Sequence, residues 1–66
     1  MQITLNGAVH ECADNATLVS LLEAAGYAQR RVAVEVNRDI VPKSQHADFA
    51  LHNGDKVEIV HAIGGG

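Results

Sequence analysis

The residues best suited to chemistry are the last three, Gly64, Gly65 and Gly66. Glycine loses more conformational freedom on ordering than any other residue, so three in a row predict a tail that leaves the domain. Three extended residues span roughly 10 Å, and without Cβ atoms they fit a narrow pocket of another protein. An α-carboxylate is ionised at neutral pH and becomes an acyl donor only after another molecule activates it. Gly66 is therefore a candidate substrate, not a catalyst.

A glycine-rich end also fits a frayed terminus or a cloning remnant. Two features of the sequence favour a functional tail. A predicted strand runs directly into the glycines, and no tag follows them.

The other reactive residue types form no recognisable catalytic or metal-binding motif. None of the four histidines has the spacing of a helical metal pair, and neither serine lies in a nucleophile elbow. The single cysteine, Cys12, permits no internal disulfide and no iron–sulfur framework. We interpret Cys12 as a small hydrophobe of the core. The sequence predicts no catalytic site of its own and no bound metal or cofactor.

Size and charge exclude several classes of protein. The chain has 66 residues, which allows one small domain without an enclosed active-site cavity. Its formal net charge of −3 argues against binding to nucleic acid. It contains neither an apolar run long enough to span a membrane nor a leader sequence, so we expect a cytoplasmic protein.

Local patterns predict the elements that position the tail. Asn6-Gly7, between two alternating segments, predicts a type I′ hairpin that pairs Leu5 with Ala8. Leucines at helical spacing predict an amphipathic helix with Thr17 as its N-cap and Gly26 at the C′ position.

Three further strands are predicted after the helix. Alternating valines over 32–36 predict a central strand, a short strand ends before Pro42, and a last strand runs from Lys56 to Ile63. In the last strand, Val57 and Ile59 are predicted to point inward, and Lys56, Glu58 and Val60 outward. We therefore predict an α+β fold in which one helix crosses a mixed sheet of four to five strands. The first and last strands run parallel in the middle of the sheet. Residues 1–63 form the domain and residues 64–66 the tail.

Several segments resemble the ThiS family, the sulfur carriers of thiamine biosynthesis, which have the ubiquitin-like β-grasp fold. The segments are Val34-Glu35-Val36-Asn37, Ile40–Ser44 and Asn53–Val60, and the chain closes on Gly64-Gly65-Gly66. The similarity extends over the whole chain. His46 departs from the tryptophan common at its position, and Arg38 from a glycine, which bears on the packing of that segment.

The resemblance implies a mechanism and partners. An adenylating enzyme of the ThiF type uses ATP and magnesium to adenylate the carboxylate of Gly66, and a persulfide donor converts the adenylate to a thiocarboxylate. A thiazole synthase of the ThiG type accepts the sulfur. Gly65 and Gly64 would be recognised in the tail, and a free monomer is expected.

Outward apolar residues near the tail are candidates for the partner surface, and we assign Val60, Ala62 and Ile63 to it. Ile63 could instead close the core. Three other functions remain open: sulfur transfer to molybdopterin or another thiolated product, conjugation to protein lysines, and a binding module with an inert tail.

Overall fold

Five strands form one mixed sheet in the computed structural model, which describes residues 1–28 and 30–61, the last by its backbone alone. The order across the sheet is β2-β1-β5-β3-β4. β1 and β5 run parallel, and the other neighbours are antiparallel. The elements are β1 (Gln2–Leu5), β2 (Ala8–Glu11), α1 (Leu18–Ala24), β3 (Val32–Val36), β4 (Asp39–Val41), a short 3₁₀ helix (Lys43–Gln45) and β5 (Lys56–His61).

The predicted hairpin is confirmed in turn type and register. Asn6 and Gly7 both have positive φ, 51° and 85°, as a type I′ turn requires. Leu5 pairs with Ala8 across the hairpin.

The predicted helix ends are also confirmed. The Thr17 hydroxyl accepts a hydrogen bond from the Ser20 amide at 3.3 Å, and the Ser20 hydroxyl accepts one from the Thr17 amide at 3.0 Å. This reciprocal pair satisfies two amides at the start of α1. Gly26 has φ +88°, and the Tyr27 amide donates to the Leu22 carbonyl at 2.8 Å, which closes a Schellman motif.

The core lies between α1 and one face of the sheet. Residues alternate along each strand between this face and the opposite one, which α1 leaves open. β3 is an interior strand, and β1 and β5 run parallel in the middle of the sheet, both as predicted. The buried apolar residues are Ile3, Leu18, Leu21, Leu22, Val34, Val36, Val41, Leu51, Val57 and Ile59.

His46 is a buried polar residue beside this core, with 6% of its surface exposed. Its Nε2 lies 2.9 Å from the carbonyl oxygen of Val41. Because a carbonyl can only accept, Nε2 carries the hydrogen and donates it. A ring nitrogen thus holds the end of β4 against the segment that follows it.

A second turn with two positive φ angles joins β3 to β4. Asn37 has φ 52° and Arg38 has φ 75°. Asn37 is supported by its side chain, whose Oδ1 accepts a hydrogen bond from the Lys56 amide at 3.0 Å. Arg38 is exposed, and the structure gives its side chain no hydrogen bond or ion pair among the described residues. The left-handed conformation of Arg38 is therefore uncompensated strain.

Replacing Arg38 with glycine should stabilise the domain. Relief of the left-handed strain outweighs the added freedom of the unfolded chain, for a net gain of about 0.5–1 kcal/mol. Thermal unfolding should show a rise in Tm of roughly 2–6 °C. Arg38→Ala is the control, because it removes the charge but keeps a Cβ. An equal gain in both variants would place the effect in the guanidinium instead of the backbone.

Candidate functional site

β5 is the strand that leads toward the predicted tail, and the sheet holds it on both sides. β1 pairs with its first two residues, Lys56 and Val57, and β3 pairs with it from Val57 to His61. Val57 is fully buried and Ile59 nearly so, under α1 and its loops. β5 is thus held by hydrogen bonds on both sides and by buried side chains on one face.

Side chains from two turns fix the beginning of β5. The amide nitrogen Nδ2 of Asn37 donates to Asp55 Oδ1 at 3.0 Å, in addition to the bond that Asn37 accepts from Lys56. Asp55 Oδ2 accepts a hydrogen bond from the His52 amide at 2.8 Å. The β3–β4 turn and the turn before β5 are therefore joined through two side chains.

Asn6 continues the sheet where β1 ends. The Asn6 amide donates to the Val57 carbonyl at 2.9 Å, as a further residue of β1 would. Its side chain then takes the place of the next strand residue, because Asn6 Oδ1 accepts a hydrogen bond from the Ile59 amide at 2.8 Å. A local turn residue thereby satisfies a backbone donor more than fifty positions away.

The open face of the sheet carries the exposed large hydrophobic side chains of the described chain. They are Val9, Ile40 and Val60, with exposed fractions of 68%, 62% and 49%. Their pairing partners show that all three lie on this face: Val9 pairs with Thr4, Ile40 with Glu35, and Val60 with Ala33. No described element covers them.

Of the residues predicted for the site, the structure places only one. Val60 lies on the open face near the end of β5, as the alternation of the strand predicted. Its contact with a partner stays a prediction. The other predicted site residues, and the boundary between domain and tail, lie outside the described residues: Ala62, Ile63, Gly64, Gly65 and Gly66.

Three features of the face were not predicted as part of a site. Glu58 of β5, Glu35 of β3 and Ile40 of β4 lie in one row across the sheet. The outward direction of Glu58 follows from alternation, but its position beside Glu35 depends on the register of two strands distant in sequence. Predicting this row would have required the register in which the valine strand pairs with the last strand.

The remaining candidate residues lie away from β5. Cys12 is half-buried and packs against the core cluster, in agreement with its interpretation as a small hydrophobe. Within the described part of the chain, no three His, Cys, Asp or Glu side chains are grouped to hold a metal ion. Nor is any helix of that part long and apolar enough to cross a membrane.

A model of the ThiS family matches residues 3–66. The chain belongs to the ThiS family. It is 35% identical to the sulfur carrier protein ThiS of Escherichia coli over the full length of both chains. The crystal structure of the thiamine biosynthesis protein ThiS from Geobacter metallireducens superposes with a TM-score of 0.87, at 30% identity and full coverage of both chains. The predicted ubiquitin-like β-grasp fold is thereby confirmed.

A longer protein is also similar to the chain. A thiazole synthase of Paramagnetospirillum magneticum is 46% identical over 66 residues. The chain spans about a fifth of the length of that synthase. A segment similar to a ThiS family member thus occurs within a thiazole synthase chain.

Removing the Asn6 side chain should loosen the end of β5. Asn6→Gly tolerates the positive φ but leaves the Ile59 amide without its acceptor, so we expect a loss of about 1 kcal/mol in unfolding free energy. Hydrogen exchange followed by NMR should show the Ile59 amide exchanging about tenfold faster. Asn6→Asp keeps an oxygen at the same place and should retain the protection. Equal protection in wild type and Asn6→Gly would show that the bond does not hold β5.

Proposed function

We propose that this chain is a sulfur carrier of thiamine biosynthesis and that the carboxylate of Gly66 carries the sulfur. The observation behind the proposal is the family match, which runs through residue 66 and therefore includes the glycine tail. The relative of the same length in Escherichia coli bears the name sulfur carrier protein. In this proposal the folded domain is the part that partners bind, and the C-terminal residue is the part that reacts.

The proposed reaction converts the carboxylate to a thiocarboxylate in three steps. A carboxylate oxygen of Gly66 attacks the α-phosphorus of ATP, and pyrophosphate leaves with magnesium. A persulfide sulfur then attacks the carbonyl carbon and AMP leaves. Reductive cleavage of the S–S bond by a thiol gives the thiocarboxylate. ATP and magnesium are held by the adenylating enzyme, so the carrier itself binds no cofactor.

The glycines suit this role because the reacting carbon must enter an enclosed site. Gly65 and Gly64 add no side chain, so the tail can pass through a channel that excludes larger residues. The carrier then needs no catalytic residue of its own and serves as a cosubstrate of its partners. We place this reaction in the cytoplasm, the compartment expected from the sequence.

Three partners follow from this chemistry: the adenylating enzyme, a persulfide donor and a thiazole synthase that accepts the sulfur. The synthase is supported by the comparison with Paramagnetospirillum magneticum, in which a similar segment belongs to the same chain as the synthase. Covalent linkage of two proteins keeps them at high effective concentration, which is useful for partners that act in succession.

Intact mass tests the proposal directly. The purified chain is incubated with the adenylating enzyme, magnesium, ATP and a sulfur source. We expect its mass to rise by the difference between a sulfur and an oxygen atom. A variant lacking Gly65 and Gly66 should show no change, because it lacks the residue that is activated.

The same assay separates the alternatives. Conjugates of higher mass with lysine-bearing proteins would favour a protein modifier over a sulfur carrier. An unchanged mass with active enzyme, and no trapped adenylate, would overturn the proposal. Transfer of the sulfur to a molybdopterin precursor and not to the thiazole synthase would assign the carrier to that pathway.

Val60 tests whether the open face contacts a partner. Val60→Ala removes an exposed apolar side chain near the end of β5 and should weaken binding to the adenylating enzyme about tenfold. The Tm should change little, because the residue is half-exposed. Val9→Ala, on the distant edge strand of the same face, is the matched control. Parallel losses of binding and stability in Val60→Ala would show that the residue serves the fold.

A further inference from the structure

Two Asn-Gly dipeptides occur in the sequence, Asn6-Gly7 and Asn53-Gly54. This dipeptide is especially open to deamidation, because a glycine has no side chain to hinder the attack of its own amide nitrogen on the preceding asparagine. All four residues are exposed, so exposure does not distinguish the two sites. Their hydrogen bonds differ, and the difference concerns the attacking nitrogen.

The attacking nitrogen is occupied at the second site. The Gly54 amide donates to the Gln2 carbonyl at 2.7 Å, and the Gln2 amide donates to Asn53 Oδ1 at 2.9 Å. β1 thus holds both reacting groups of this dipeptide in place. Attack requires these hydrogen bonds to open first.

The attacking nitrogen is free at the first site. Among the described residues, the Gly7 amide has no hydrogen-bond acceptor. The Ile59 amide donates to Asn6 Oδ1 at 2.8 Å, and this oxygen gains negative charge when a nitrogen attacks the carbon that bears it. A donor directed at a developing oxyanion favours the attack. Asn53 has such a donor as well, so the state of the glycine nitrogen decides between the sites.

The other two asparagines are protected by their neighbours. Asn15 is followed by Ala16, whose amide donates to the Ala13 carbonyl at 3.0 Å. Asn37 is followed by Arg38, and both polar atoms of the Asn37 side chain are hydrogen-bonded. In each case a Cβ also stands beside the attacking nitrogen. The first Asn-Gly dipeptide is therefore the most reactive of the four positions.

We propose that Asn6 deamidates spontaneously in the folded protein and that Asn53 is spared. The Gly7 nitrogen attacks Asn6 Cγ and forms the N–Cγ bond. The Cγ–Nδ2 bond breaks, and ammonia leaves with the proton that the Gly7 amide has lost. Water then opens the resulting succinimide at either carbonyl carbon, which gives aspartate or isoaspartate. No reactant other than water takes part.

The two products affect β5 differently. Aspartate keeps the course of the main chain and an oxygen that can accept from the Ile59 amide. In isoaspartate the main chain runs through the former side-chain carbon, which adds a methylene group to a two-residue turn. The pairing of Leu5 with Ala8 depends on that turn, and the acceptor of the Ile59 amide is displaced. Isoaspartate at position 6 therefore loosens β5.

Peptide mapping of the aged protein tests the proposal. The full chain is incubated folded, below its Tm, and in parallel in denaturant, where the two identical dipeptides react at similar rates. Trypsin cuts after Arg30 and Lys43, so Asn6 and Asn53 fall in different peptides. Fragment masses locate each new acid, and a protein isoaspartate methyltransferase labels the isoaspartate. Asn6→Gly and Asn53→Gly are matched controls, because each removes one site.

We expect acid to form at least about fivefold faster at position 6 than at position 53 in the folded chain, since only the second site must first break the hydrogen bond of its nucleophile. This difference should disappear in denaturant. Asn6→Gly should lose most of the methyltransferase label, and Asn53→Gly should keep it. In the purified isoaspartate form, the Ile59 amide should exchange about tenfold faster than in the wild type, whereas the aspartate form should retain its protection.

An equal or faster reaction at position 53 of the folded chain would overturn the proposal. So would a folded chain in which position 6 reacts no faster than Asn15 or Asn37, because the bond to Ile59 would then protect Asn6. Unchanged exchange of the Ile59 amide in the isoaspartate form would contradict the effect on β5. None of these measurements involves sulfur transfer, so their outcome is independent of the proposed function.

Discussion

The parallel pairing of β1 with β5 is the constraint on which the rest of the structure depends. It brings the first and last strands together in the middle of the sheet, and the crossover between them carries α1 over one face. β5 gains neighbours on both sides and a buried row formed by Val57 and Ile59. The end of the chain is thereby attached to the best-supported strand of the domain.

The pairing is short, and polar side chains complete it. Only two residue pairs join β1 to β5 directly. Asn6 lengthens the ladder at one end, and Asn37 with Asp55 fixes the strand at the other. In so small a domain the core is limited, so hydrogen bonds from turn residues determine how well β5 is held. Both asparagines also tolerate positive φ. Each can therefore form a turn and at the same time bond to β5 through its side chain.

The sequence predicts the local structure and the central pairing of the first and last strands, but not the register between distant strands. The Asn6-Gly7 hairpin, the Thr17 and Gly26 caps and the alternation of β5 each depend on neighbouring residues, and all are confirmed. The valine strand is interior, and the first and last strands run parallel in the middle of the sheet, both as predicted. The register between β3 and β5 was not predicted, because it is decided by pairing between distant segments. The outward residues of β5 could be predicted because alternation is local. The residues beside them on β3 could not, because they depend on strand register. Val60 followed from period-two alternation, but the row that includes Glu35 and Ile40 follows from register alone.

The two faces of the sheet contribute differently to the stability of the domain. The face under α1 holds the buried aliphatic residues, and changes there act on the folded state through cavities and lost burial. The open face contributes little burial, so its residues can be unfavourable for the free domain without unfolding it. The strain at Arg38 and the repulsion between Glu35 and Glu58 both lie outside the core, yet they differ in kind. The first arises in the backbone of a turn, where no partner is needed to explain it. The second lies between a half-buried and an exposed carboxylate, where solvent screens the charges, so it destabilises the domain little.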